Sequence, residues 1–187
     1  MEKIAEITIR NFSNQVGLDT FNTFMETLRS KYNDRGFPTE DDLSEHIEHV
    51  NNYNSLYTYM AYPTNQPNQP IAAIIGRVNP DHFDLLWFAA DTKSPIRDPG
   101  KKLMIMSGIF EKYTQIRLIA EVFGEPKNIT EQQRTKKQAV LVRYYQGLGF
   151  VRDKEHGECY KSYPKKGGLP IMQMIWKKPV TRNPDSR

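Results

Sequence analysis

Apolar and polar residues follow two periods along the chain, one typical of strands and one typical of helices. Alternation at every second position, or a short apolar run between turn residues, indicates a strand. The strands predicted in this way are residues 4–9, 56–62, 71–78, 82–91, 116–123, 150–160 and 171–176. Gly76 interrupts the third of them, which predicts a β-bulge at that position.

Apolar residues repeated at intervals of three and four predict four helices. The first begins near Asp19, an N-cap type of residue, and the second is capped by Thr39. The third follows Lys102, and the fourth covers residues 136–146 with a glycine-based stop. The apolar face of the first helix consists of Phe21, Phe24, Met25, Leu28 and Tyr32. The apolar face of the third consists of Leu103, Met106, Ile109, Phe110 and Tyr113.

These elements predict an α/β domain with the order β-α-α-β-β-β-α-β-α-β-β. The strands between residues 56 and 91 form an antiparallel meander, and its last strand forms a parallel pair with the strand at 116–123. No repeat or linker divides the chain. We therefore expect a single domain over residues 1–187, with a frayed tail at 183–187.

The composition supports a globular domain and indicates the cellular compartment in which we expect it. Of the 187 residues, 38% are hydrophobic and 26% are charged, which is typical of a folded chain. No apolar run approaches the roughly 20 residues that a membrane-spanning helix needs. Charged residues also interrupt the first positions, where a signal peptide would be apolar. The single cysteine, Cys159, excludes an internal disulfide, so we expect a reducing, cytoplasmic setting.

The net charge of +4 is mild, and the basic residues form small groups rather than one block. The densest groups are residues 97–102, 134–137 and 165–166. Local groups of this size suit an anionic ligand as well as they suit a nucleic acid. Because no aromatic-basic motif accompanies them, a nucleic-acid-binding module is the weakest of the functional hypotheses.

A phosphate-sized site is predicted where the third helix begins. The segment before it reads Arg-Asp-Pro-Gly-Lys-Lys over residues 97–102. The start of a helix presents unpaired N–H groups and a partial positive charge, which together bind phosphate. Glycine allows the backbone to approach such a ligand closely. The predicted backbone donors are Gly100, Lys101, Lys102 and Leu103, and Arg97 with the two lysines adds charge. The alternative is an ordinary solvated turn.

A second motif, Tyr145-Gln-Gly-Leu-Gly149-Phe150, ends the fourth predicted helix. Together with Arg97-x-x-Gly100-x-Lys102 and with the element order, it resembles the GNAT acyltransferases, which use acyl-coenzyme A to modify amines. Their corresponding patterns are Tyr-x-x-x-Gly-Phe and Gln/Arg-x-x-Gly-x-Gly/Ala. The chain departs from the second pattern because Lys102 replaces a small residue, and Pro99 removes one backbone donor.

The resemblance implies acetyl-coenzyme A as the cofactor and a parallel strand pair that splays around it. The cofactor would meet the phosphate site of residues 97–103 and the backbone of Phe88, Ala89 and Ala90. Tyr145 would be the general acid that protonates the leaving sulfur. The alternatives are that Tyr145 only packs in the core, or that its neighbour Tyr144 occupies the position instead.

Glu121 is the candidate general base, acting directly or through water. It lies in an apolar strand segment, where desolvation would raise the pKa of its carboxyl group towards a useful value. The alternative places Glu121 outward, in solvent. Asp84 and Asp91 on the preceding strand are the next candidates. No metal is expected, because His46-x-x-His49 and His156-x-x-Cys159 each supply too few ligands.

The sequence therefore favours an N-acetyltransferase that joins acetyl-coenzyme A and an amine by direct attack in a ternary complex. The amine would belong to a small molecule or a protein, and the enzyme would be a monomer or homodimer without a membrane partner. The alternative function is a catalytically inactive domain of the same fold that binds coenzyme A or a protein partner.

Overall fold

The computed structural model describes residues 7–32, 55–120, 130–153 and 172–179. Its strands are β1 (Ile7–Ser13), β2 (Leu56–Pro63), β3 (Ala72–Val78), β4 (His82–Ala90), β5 (Gln115–Ala120), β6 (Val151–Arg152) and β7 (Met172–Lys177). Its helices are α1 (Asn14–Lys31), α2 (Pro99–Met106), α3 (Ile109–Lys112) and α4 (Glu131–Gln146). The predicted second helix and the predicted tail lie outside the described residues.

The strands form one mixed sheet in the order β1-β2-β3-β4-β5-β7-β6. Neighbouring strands are antiparallel except for β4 and β5, which are parallel. The predicted α/β class is therefore confirmed, as is the meander that leads into a parallel pair. Within the described ranges, none of the helices combines the length and apolarity needed to span a bilayer.

Helix α1 covers one face of the sheet, over β1, β2 and β3. All five residues of its predicted apolar face are buried, at 0–3% exposure. Its predicted start at Asp19 is wrong, because the helix follows β1 directly at Asn14. Gly17 allows this early start: a Cβ there would lie 2.8 Å from the carbonyl oxygen of Phe12. The hydroxyl of Thr58 on β2 donates to the Gly17 carbonyl at 2.9 Å and holds the first turn against the sheet.

Helices α2, α3 and α4 pack against a second hydrophobic cluster, separate from the one under α1. The prediction of one helix over residues 103–113 is wrong at its start and in its middle. α2 already begins at Pro99, and the chain breaks at Gly108, which has a φ of 75°. Met106 is consequently 51% exposed rather than part of the buried face. α4 begins five residues before the predicted position 136, because Thr130 and Gln133 form a capping box.

The irregularity predicted at Gly76 lies on the neighbouring strand. Ile75 pairs with Trp87 and Gly76 pairs with Leu85, so Leu86 is the extra residue of a bulge in β4. The bulge reverses the alternation of β4. Phe83 belongs to the cluster under α2 before it, and Phe88 packs on the same cluster after it. Phe88 therefore faces the helix whose start forms the predicted phosphate site.

Replacing Gly76 with alanine should lower the free energy of unfolding by about 1–3 kcal/mol, because the added methyl group must displace β4. Its Cβ would lie 2.1 Å from Cζ of Phe83 and 2.6 Å from the carbonyl oxygen of Asp84. Gly147→Ala is the control, since its closest contact would be 3.3 Å from the Tyr144 carbonyl oxygen. Urea unfolding measures both, and equal midpoints for the two variants would contradict this packing.

Candidate active site

The parallel strands β4 and β5 are bonded along only part of their length. Their pairing runs from His82 with Gln115 to Leu85 with Leu118 and stops there. β4 nevertheless remains paired with β3 as far as Ala90, and β5 remains paired with β7 as far as Ala120. The separation begins next to Leu86, where the bulge bends β4 away from its partner. The result is a gap in the sheet, and this is the splay that the sequence resemblance implied.

The start of α2 lies directly on the separated end of β4. A Cβ on Gly100 would lie 2.4 Å from Cζ of Phe88 and 3.3 Å from Cβ of Ala90. Glycine is therefore required at this position for the helix to pack on the strand, a reason that sequence analysis did not identify. Three predicted site residues, Phe88, Ala90 and Gly100, are brought together in this way. Ala89 belongs to the cluster under α1, so only its main chain can contribute here.

Fewer backbone donors are open at this helix start than the sequence predicted. The Lys102 N–H donates to the Asp98 carbonyl at 3.1 Å and belongs to the helix itself. Leu103 follows it in the helix, and its side chain is fully buried in the core. Since Pro99 has no N–H, Gly100 and Lys101 are the predicted donors whose N–H groups face outward from the first turn.

The charged side chains around this helix start are basic, except for that of Asp98. Lys101 is exposed and Lys102 is half-buried. The Arg97 side chain is 93% exposed, and its Nε lies 3.5 Å from a carboxylate oxygen of Asp98. Asp98 also adopts left-handed backbone, with φ 50° and ψ 52°, where the chain turns into α2. An anion at this position would meet three cations and would compete with Asp98 for Arg97.

The two adjacent tyrosines of α4 lie in different surroundings. The ring of Tyr145 is 4% exposed and packs edge-on against Phe150, with the ring centroids 5.7 Å apart. The ring of Tyr144 stacks on Phe88, with the centroids 6.0 Å apart and the planes at 20°. Tyr144 thus connects α4 to the strand beside the gap, and it lies between Phe88 and Tyr145.

Both phenols are held in the protonated form. Burial raises the pKa of Tyr145, and the neighbouring Tyr144 raises it further. Burial also raises the pKa of Tyr144, and the carboxylate of Asp98 adds to this effect. The Tyr144 hydroxyl is buried and has no hydrogen-bond partner within the described part of the chain. The contact between Tyr144 and Phe88 was missed by sequence analysis, because only the bulge at Leu86 turns Phe88 towards α4.

Asp84, an alternative base, forms hydrogen bonds at the end of β4 that is still paired with β5. Its Oδ2 accepts from Nη2 of Arg77 at 2.7 Å and from the Asn79 side chain at 2.9 Å. Its Oδ1 lies 3.4 Å from Nε2 of His82. These partners are at the opposite end of β4 from the gap. Asp84 is therefore placed to join strands rather than to meet a substrate in the gap.

Asp91, the other alternative base, follows the end of β4 and binds the last residues of α1 through its carboxylate. Its Oδ2 pairs with the ammonium group of Lys31, and its Oδ1 accepts from the Tyr32 hydroxyl at 2.5 Å and from the Lys93 N–H at 3.0 Å. Burial alone would raise the pKa of Asp91, but the hydrogen bonds from Lys31, Tyr32 and Lys93 outweigh it and leave the pKa below its usual value. A carboxylate held in this way is a poor base.

Some predicted residues lie outside the described residues, namely Glu121, Cys159 and the histidines at positions 46, 49 and 156. The role of Glu121 therefore remains a prediction from the sequence. In the ranges that the structure covers, no group of three or more histidine, cysteine or acidic side chains could hold a metal ion.

Comparisons with known proteins support the fold. No family model and no curated protein matches the chain. Solved structures do match it. The ribosomal-protein-S18-alanine N-acetyltransferase from Escherichia coli is 15% identical, with a TM-score of 0.58, and the match covers 96% of this chain and 98% of that chain. An acetyltransferase of the GNAT family from Staphylococcus aureus Mu50 is 19% identical, with a TM-score of 0.56 and coverage of 93% and 100%.

A third match is the PaiA N-acetyltransferase from Thermoplasma acidophilum in complex with coenzyme A. It is 15% identical, with a TM-score of 0.52 and coverage of 92% of this chain and 98% of that chain. All three matches extend over nearly the whole of both chains. The chain therefore has the GNAT fold, as the resemblance of its motifs implied.

Replacing Asp91 with asparagine should lower stability at neutral pH by about 1.5–3 kcal/mol, because hydrogen bonds to a charged group are lost. The lowered pKa of Asp91 means that its contribution is complete above its unfolded pKa of about 3.9 and is lost as the pH falls through the folded value. The wild-type and variant curves should therefore converge below about pH 4. Urea unfolding from pH 3 to pH 7 tests this, and a constant difference would contradict it.

Proposed function

We propose that the protein is an acyl-coenzyme A dependent N-acyltransferase that transfers acetyl from acetyl-coenzyme A to an amine of a small molecule or a protein. The observation that carries this proposal is the separation of β4 from β5 beside the start of α2. An unpaired strand edge, a helix N-terminus and an adjacent group of cations all suit one long, anionic, amide-containing ligand. The coenzyme A complex of the Thermoplasma acidophilum protein, which has the same fold, supports this assignment.

The residues present fit acetyl-coenzyme A. Its diphosphate would be held by the N–H groups of Gly100 and Lys101 and by the charges of Arg97, Lys101 and Lys102. Its pantetheine amides would meet the main chain of β4 from Phe88 to Ala90, which is paired with β3 but not with β5. Leu103 would contribute through its buried side chain, by fixing α2 on the core.

Transfer needs a proton acceptor for the amine and a proton donor for the sulfur. The bound acetyl thioester supplies an activated carbonyl carbon: the amine nitrogen bonds to it, the carbon–sulfur bond breaks, and the sulfur gains a proton. We assign the donor role to Tyr145, whose raised pKa keeps its phenol protonated throughout the neutral range. The same dry surroundings raise the proton affinity of a thiolate, so the transfer stays feasible. We assign the acceptor role to Glu121, directly or through water.

An inactive domain that binds coenzyme A or a protein partner is the second candidate. It is favoured by Pro99, which removes a donor from the helix start, and by the deep burial of Tyr145. Calorimetry with acetyl-coenzyme A, followed by an assay for thiol release with a panel of amines, separates the two functions. Binding together with amine-dependent thiol release supports the enzyme, whereas binding without release supports the inactive domain.

Replacing Lys101 and Lys102 together with alanine should weaken acetyl-coenzyme A binding by about three- to tenfold, as expected for two partly solvated charge contacts. The loss should shrink as salt rises, because salt screens these contacts. Calorimetry at low and high salt measures both effects. Lys136→Ala, which removes an exposed lysine from the first half of α4, is the matched control. Equal affinities for the double variant and the control would exclude the phosphate site at α2.

Replacing Tyr145 with phenylalanine should reduce kcat by about 10²–10⁴-fold, the usual contribution of a general acid. The melting temperature should change little, because the ring that packs on Phe150 remains. Tyr144→Phe is the paired variant and removes a hydroxyl without a hydrogen-bond partner in the described ranges. If kcat falls for Tyr144→Phe and not for Tyr145→Phe, the acid is Tyr144. Unchanged turnover in both removes this pair from the mechanism.

A further inference from the structure

A buried side-chain amide lies on the face of the sheet opposite to α2 and α4. Gln173 is the second residue of β7, and it is 8% exposed. Neither its Oε1 nor its Nε2 has a hydrogen-bond partner in the part of the chain that the structure describes. Leaving a buried donor and a buried acceptor unsatisfied in one side chain is unfavourable, and such groups are rare in folded proteins. The amide therefore requires an explanation beyond packing.

The position of Gln173 relates this amide to the gap. In the sheet, Gln173 pairs with Ile119 of β5, one residue beyond the last residue that β5 pairs with β4. Met174, next to it, belongs to the cluster under α2 and α4, so the Gln173 side chain points to the other face. The Gln173 side chain therefore lies on this face, on the strand that pairs with one edge of β5, while the other edge of β5 borders the gap.

A second unsatisfied donor lies on the same face. Arg117 of β5 pairs with Ile175 of β7, which makes it a diagonal neighbour of Gln173, and such neighbours are within reach of long side chains. Its Nη2 donates to the Gln115 side chain at 3.2 Å, but its buried Nε has no partner among the described residues. The main-chain N–H of Asp153 donates to the main-chain carbonyl oxygen of Gln173 at 3.0 Å, so the buried residue Asp153 lies beside Gln173 on the side away from β5.

We infer that Gln173, assisted by Arg117, binds an amide group of the acyl acceptor. This inference rests on the proposed acyltransferase function and names its substrate class. The amide of Gln173 presents an acceptor oxygen and a donor NH₂ group, and another amide satisfies both, since its N–H donates to Oε1 and its carbonyl oxygen accepts from Nε2. Arg117 offers a further donor to its carbonyl oxygen. The acceptor is thus a peptide or a carboxamide that carries the reacting amine.

The first arm of the test needs no acceptor. Gln173→Met keeps the length of the side chain and removes both unsatisfied atoms, so the melting temperature should rise by about 2–6 °C. Gln138→Met is the matched control: its Nε2 donates to the Ala120 carbonyl at 3.3 Å, so the same substitution should lower the melting temperature. A lower melting temperature for Gln173→Met would mean that the chain itself satisfies the amide, and would overturn the inference.

The second arm compares alaninamide, alanine and isopropylamine as acceptors, by thiol release from acetyl-coenzyme A. These amines differ in basicity, so their kcat/KM values are not compared directly. Instead, the ratio of kcat/KM between two amines is measured in wild type and compared with the same ratio in Gln173→Met. The ratio of alaninamide to isopropylamine should fall about tenfold or more in the variant, as expected for a lost hydrogen-bonded pair. An unchanged ratio overturns the inference, as does a wild-type preference for alanine over alaninamide.

Calorimetry with acetyl-coenzyme A separates failure of this inference from failure of the proposed function. Wild type and Gln173→Met should bind acetyl-coenzyme A with the same affinity, since Gln173 lies on the opposite face of the sheet from α2. If wild type binds it and the acceptor ratio does not change, only the role of Gln173 is wrong. If wild type does not bind it, the proposed function fails and the acceptor assignment fails with it.

Discussion

The hydrogen bonds between β4 and β5 stop after Leu85 and Leu118, and the candidate site is built around this separation. Two parallel strands lose their shared hydrogen bonds there, and the backbone groups that are released must be satisfied in another way. Each strand keeps its other neighbour, β3 or β7, so the sheet remains intact on both sides of the gap. The fold thus contains a stretch of main chain with open hydrogen-bonding groups in the middle of its sheet.

The bulge at Leu86 makes this arrangement possible. An extra residue increases the local twist and bends the strand, and it also exchanges the two faces of β4. Without the bulge, the Phe88 side chain would lie on the face of the sheet that α1 covers, where Trp87 lies now. With it, Phe88 lies under Gly100 and against Tyr144. One inserted residue therefore opens the gap and brings the start of α2 and the end of α4 to its edge.

Local patterns were sufficient to predict the sheet, because alternation depends only on which face of each strand is buried. The predicted strand at 71–78 begins one residue before the observed β3, for example. Helix boundaries were less predictable. α1 begins early because Gly17 fits against Phe12, and the third predicted helix breaks where Gly108 takes positive φ. Both are contacts or conformations that a hydrophobic period does not contain.

In the candidate site too, features set by local sequence were predictable, whereas contacts between distant parts of the chain were not. Motifs located the helix start at Gly100 and the tyrosine pair, since glycine and helix-stop signals are local. They could not show that Gly100 is needed to accommodate Phe88, or that Asp91 is engaged by Lys31 and Tyr32. Sequence analysis also passed over Gln173, because a single glutamine in an apolar strand has no signal until its burial is known.

The two faces of the sheet differ in a way that favours a reaction between unlike partners. On the side of α2 and α4, cations, a helix N-terminus and protonated phenols surround the gap, which suits an anionic ligand and a leaving group that needs a proton. On the opposite side, the amide of Gln173 and the buried Nε of Arg117 have no hydrogen-bond partner in the described part of the chain. Open polar groups on both faces of one gap would be costly if only one ligand bound. They are understandable if two ligands, entering from opposite faces, meet between the separated strands.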